Sequence, residues 1–174
     1  MERLLNIITN PDKRHIWILN RKYCPNKVMI EGKAEVMYSY DPVAQEKPFS
    51  VDAIMNIKSY NFKTFVQAYK DERKEILDND AQDMRILAVW SFCKNVRRDD
   101  VMLFVHGNEI EGYYVITGEQ VVCQNEEDFC LHSWEAETIR FSCPVCIASR
   151  FGPPFFKMIG KFKTEVVAAL RKAI

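Results

Sequence analysis

Residues 85–117 read RILAVWSFCKNVRRDDVMLFVHGNEIEGYYVIT, and the fold turns on how this stretch is parsed. Arg85 to Phe92 is an apolar run of strand length, and Lys94 to Asp100 is a charged turn. Val101 to Val105 is a continuous apolar run that reads as a buried strand. His106-Gly107-Asn108 makes a tight connection into a strand from Ile110 to Thr117, which resumes after Gly118 as Glu119 to Cys123. An acidic loop, Gln124 to Asp128, leads to the alternating segment Leu131 to Phe141. Such a block of strands needs a solution for its edges. The expected class is therefore α+β, a small curved sheet or partial β-barrel packed by helices.

Outward from this block, Glu2 to Thr9 suits a short helix and Asn10-Pro11-Asp12 a turn. His15 to Leu19 reads as a strand, and Lys27 to Tyr40 as one long or two short strands around Gly32. Asp41 to Pro48 is a loop. Ser50 can cap a helix from Val51 to Ile57, and Ser59 or Asn61 can open a longer one carrying Phe62, Phe65, Val66, Tyr69 and Ile76. Beyond the breaker at Arg150 to Pro154, Phe155 to Ile174 has the spacing of an amphipathic C-terminal helix. It reaches the last residue without a capping glycine, which suits either a true C-terminus or a chain that continues into further domains after Ile174. With 174 residues, 48% of them hydrophobic, the chain fits a single domain with a real core.

Lys plus Arg equals Asp plus Glu at 24 each, which excludes a protein that coats nucleic acid by bulk charge. The zero sum hides asymmetry. Asp99 to Glu137 holds ten acidic residues and no Lys or Arg, whereas basic groups gather at Lys94, Arg97 and Arg98, at Lys13, Arg14, Arg21 and Lys22, and after Ile147. A basic face could meet phosphate. No apolar run approaches the ~18 residues a membrane span needs, and the N-terminus lacks a signal-peptide layout.

Of the six cysteines, Cys123, Cys130, Cys143 and Cys146 fall in one segment with His132 between them. A reducing, cytoplasmic setting fits these thiols better than a disulfide framework. Cys143-Pro144-Val145-Cys146 could place two thiolates on one side of a turn, with the second pair of zinc ligands drawn from Cys123, Cys130 or His132. Buried free thiols are the plainer reading, and no cofactor is required.

The stretch 85–117, with the acidic loop and His132-Ser133-Trp134 after it, resembles the PUA-like group of EVE and YTH domains. It is most similar to the DNA-reading domains of McrBC-type restriction systems. An aromatic-bearing segment precedes the turn and strand Asp99-Asp100-Val101-Met102-Leu103, and a strand opening Gly112-Tyr113-Tyr114 follows. Asp99 stands where the family usually has glycine. The resemblance implies a partial barrel that flips a base, modified or not, into an aromatic pocket, in DNA rather than RNA. Carried onto this chain, the pocket residues are Trp90, Ser91, Phe92, Tyr113 and Trp134, with Trp90 where the family's cage tryptophan lies. Tyr113 and Tyr114 must point to opposite faces of a strand, so at most one lines a pocket. Asp83 or Asn95 would add polar contacts, and Lys94, Arg97 and Arg98 would hold phosphates.

No catalytic arrangement competes with this. The sequence has no Walker loop, no G-x-S-x-G and no H-E-x-x-H. His132 and Glu135 are spaced H-x-x-E rather than the H-x-E of zinc deaminases. The expected function is a non-catalytic nucleic-acid reader. The alternative is a protein-interaction or adaptor domain stabilised by cysteine-bound zinc.

Overall fold

Two short strands lacking any polar alternation lie side by side at the heart of the sheet. A computed structural model describes residues 1–12, 14–24, 27–37, 61, 63–64, 88, 90–124, 130–153 and 155–174. Helix α1 spans Glu2–Thr9, β1 Ile16–Asn20, β2 Lys33–Met37, β3 Val101–His106, β4 Glu109–Gln124, β5 Cys130–Cys146, β6 Phe155–Lys157 and α2 Gly160–Ala173. The six strands form one curled, half-barrel sheet in the order β2-β5-β4-β3-β1-β6. Neighbours are antiparallel except β1 and β3, which run parallel with Ile16 opposite Val101.

The apolar runs are continuous because both faces are covered. On one face Trp17, Leu19, Met102, Phe104, Tyr114 and Ile116 pack with Ala88, Phe92, Cys93 and Val96. On the other, Ile16, Ile18, Val101, Leu103, Val105, Tyr113 and Val115 pack with Leu4, Ile7 and Ile8 of α1 and with Val166 and Leu170 of α2. The i, i+3, i+4 spacing in α1 and the i, i+4 spacing in α2 give each helix a single apolar stripe to lay on the sheet. Tyr113 and Tyr114 do take opposite faces.

Helix α1 lies where the sequence places it, and the α+β class holds. Three readings need correction. The run 85–92 is not a strand where it is described: Ala88 and Trp90 are helical and Ser91–Asn95 closes as a π-turn. Its buried residues, Ala88, Phe92, Cys93 and Val96, follow helical spacing, which a short apolar run masks. The C-terminal helix does not begin at Phe155. Phe155 and Phe156 pair with β1 as strand β6, and Gly160, at φ +54°, starts the helix. Cys143 to Cys146 is extended within β5 rather than a turn. The expected loop at Asp41 to Pro48, the Ser50 cap, the helix at Val51 to Ile57 and Asp83 lie outside the described residues. Asn61 does accept the Thr64 N–H at 2.9 Å, the geometry of a helix N-cap.

Candidate nucleic-acid interface

Parallel strands start at the same end of a sheet. The residues that precede β1 and β3 are therefore neighbours, although they are far apart in sequence. The Asp100 carboxylate ties them together. Its Oδ1 accepts the His15 N–H at 2.8 Å, and its Oδ2 accepts the Trp17 indole N–H at 2.8 Å and the Arg97 N–H at 3.1 Å. The side chain is almost wholly buried, so each of these bonds replaces water that the donors have lost.

The same turn is shaped by Asp99. Asp100 N–H bonds back to Arg97 C=O at 3.1 Å, Asp99 N–H reaches Ile116 C=O at 2.8 Å, and Asp99 sits at φ +71°. This is a left-handed backbone position. Aspartate tolerates it at a cost that glycine does not have. Asp99→Gly is therefore expected to stabilise the chain by about 0.5–1 kcal/mol, read as a rise in the urea midpoint at unchanged slope.

The turn and the start of β1 bring Arg14, Arg97 and Arg98 to one end of the sheet, all three exposed. None has an acidic partner among the described residues. Charge that is neither paired nor buried is available to an anion. Nearby in sequence, Lys94 holds its Nζ 5.7 Å from the centre of the partly exposed Trp90 ring. Arg21, read with Arg14 as one basic group, lies elsewhere. It bonds Glu111 at 2.6 Å and contacts His106 at 3.3 Å.

The structure places Trp90, Phe92 and Trp134 together on one face of the sheet and Tyr113 on the other. Phe92 is fully buried, edge-on to Phe155 at 5.2 Å, and its C=O accepts the Trp134 indole N–H at 3.0 Å. Trp134 and Ser91 are buried as well. Tyr113 belongs to the opposite face, against Phe141. Of the aromatic candidates, Trp90 alone keeps solvent exposure. Asn95, the last residue of the π-turn, is exposed.

The cysteines are likewise apart. Cys130 pairs with Gln124 at one end of the β4–β5 hairpin, and Cys146 with Glu109 at the other. Cys130 and Cys143 are thirteen positions apart along β5, roughly 40 Å of extended chain. Cys123 pairs with Leu131 and His132 with Val122, both near the Cys130 end, while Cys143 and Cys146 are exposed thiols at the far end. No cluster of three or more metal-ligating side chains occurs among the described residues. Cys24, by contrast, is inert. Burial pushes its thiol up to about 12, helped by the charge of Glu35, whose own carboxyl is raised by burial against the opposing pull of Lys33. The Tyr114 hydroxyl, also raised by burial, accepts the Ile30 N–H at 3.0 Å.

Sequence reading missed the roles of His15 and Asp100 and the union of Arg14 with Arg97 and Arg98. The available signal was the shared character of the runs at 15–19 and 101–105. Two fully apolar strands without alternation suit a parallel, doubly covered pair. No protein-family model matches the chain, and neither the curated proteins nor the solved structures yield a match. Among the described residues, no helix is long and apolar enough to cross a membrane.

Proposed function

We propose that this chain is a nucleic-acid-binding module of PUA-like kind, in which Arg14, Arg97 and Arg98 hold phosphates and Trp90 offers its ring to a base. The observation that carries the reading is the convergence of three exposed arginines, without acidic partners among the described residues, on a turn clamped by Asp100. The sequence resemblance adds a role in DNA reading for a restriction system.

Magnitudes decide which nucleic acid suits the site best. Flipping a paired base costs a few kcal/mol, while stacking on one aromatic ring returns about 1–3 kcal/mol. A single ring thus favours a base that is already unpaired, or one whose pairing a modification or mismatch has weakened. The test is fluorescence anisotropy with short single strands and duplexes, plain or carrying methylated cytosine or adenine, at two salt concentrations. Single strands should bind best, in a salt-dependent manner. Trp90→Ala should weaken binding about tenfold. The double variant Arg97→Ala, Arg98→Ala should flatten the salt slope by about 0.7 per lost phosphate contact. Absence of binding to every strand at low salt would remove the proposal.

A further inference from the structure

Among the described residues at this end of the sheet, His15 has a chemistry that the proposed phosphate contacts do not explain. Its Nδ1 is buried without a hydrogen-bond partner among the described residues, 3.5 Å from Asp100 Oδ2, and its ring stands edge-on to Trp17 at 5.7 Å. The side chain nevertheless keeps 28% exposure, so its outer edge reaches solvent beside Arg14. We infer that His15 is a proton-gated cation of the anion site, so that binding a phosphodiester strand takes up one proton. This rests on the nucleic-acid reading above.

The two ring nitrogens of His15 face different partners. Asp100 is a carboxylate already accepting three N–H groups, and towards it only a protonated Nδ1 is favourable. A phosphate at the exposed edge demands a proton on Nε2 for the same reason. Neutral imidazole carries one proton and can satisfy one side alone; the imidazolium satisfies both. An incoming phosphate therefore stabilises the doubly protonated ring. Charged groups on the surrounding elements act in both directions. Asp100 and Asp99 in the turn and Asp12 on its own segment favour the charged ring. Arg14, Arg97 and Arg98, with Lys157 of β6 opposite Trp17, oppose it until an anion arrives.

The sign is fixed by linkage. A group that binds a proton more tightly in the complex makes affinity fall as pH rises through its titration range, which for histidine lies within about pH 5–8. The experiment is anisotropy with one labelled single strand at constant ionic strength, at pH 6 and pH 8, on the wild type, His15→Ala and His15→Gln. Wild-type affinity should drop several-fold between the two, towards a limit of tenfold per pH unit where one proton is taken up. The variants should be flat and bind no more tightly than the wild type at either pH. Both leave the backbone N–H bond to Asp100 in place. Calorimetric titration of the wild type in two buffers of different ionisation enthalpy reads proton uptake without any variant, and about one proton is expected. Binding with no pH dependence, or the same dependence in His15→Ala, overturns the inference while the nucleic-acid reading stands. No binding at either pH removes the reading itself.

Discussion

Asp100→Ala is expected to lower stability by about 3–5 kcal/mol. The carboxylate is the shared acceptor for the His15 and Arg97 backbone N–H groups and for the Trp17 indole. Alanine leaves all three donors without their partner. The Trp17 indole is buried and stacked on Phe155 at 5.1 Å, so the structure has little room to let water in. Each stranded donor costs about 1–3 kcal/mol, and a domain of this kind has about 5–15 kcal/mol in total. Asp100→Asn keeps the shape and one acceptor oxygen but turns an amide N–H₂ towards a donor, so its loss should be smaller, near 2 kcal/mol. Urea denaturation followed by tryptophan fluorescence measures both. The same variants should weaken oligonucleotide binding, because Arg14 loses its fixed position beside Arg97 and Arg98. An Asp100→Ala protein within about 1 kcal/mol of the wild type would show that the carboxylate is not the clamp described.

Gly112→Ala should be nearly as damaging for a different reason. A Cβ at this position of β4 would overlap the carbonyl oxygen of Ile139, lie 2.7 Å from Met29 Sδ and 3.0 Å from Arg140 Cα. A methionine tip can swing away, but a strand carbonyl cannot move without disturbing its neighbours in the ladder. Gly112 pairs with Arg140 and with Phe104, at a step where the register shifts on both sides. The added methyl must push two strands apart, and overpacking of this kind costs about 3 kcal/mol or more when backbone has to yield. Gly152→Ala is the control: a Cβ there meets nothing within 4 Å, and the change should be nearly neutral. Comparing the two urea midpoints separates close approach from any general effect of losing glycine.

Both residues lie in the stretch that was most informative as sequence, and what could be read from it depended on the range of the interaction. Local patterns were legible. The turn at Asp99-Asp100, the strand after it and the opposite orientation of Tyr113 and Tyr114 follow from chemistry within a few residues. The helical character at Trp90 was hidden because a mostly apolar run of eight residues satisfies two periods at once, and only the covering of Phe92 and Val96 by the sheet decides between them. The strand at Phe155 was absorbed into a helix because its partner is β1, far away in sequence. The candidate site suffered in the same way. Lys94, Arg97 and Arg98 are visible as a cluster, whereas Arg14 and His15 join them solely through a parallel pairing. The cysteines erred in the opposite direction: closeness in sequence suggested a shared ligand set, and a long extended strand carries them apart.

The bond between His15 and Asp100 spans 85 positions of the chain, and that distance has a kinetic meaning. The β3–β4–β5 meander can form from neighbours, while β1 must wait for a large loop to close, and loop closure slows folding more than it weakens the final state. Contacts made at the last step are absent from the rate-limiting transition state. Loss of the Asp100 clamp should consequently appear as faster unfolding with an almost unchanged refolding rate. On a ribosome, β1 would emerge well ahead of β3 and remain without that neighbour until the turn at 97–100 had followed, so the arginine cluster could not come into existence before that turn was made.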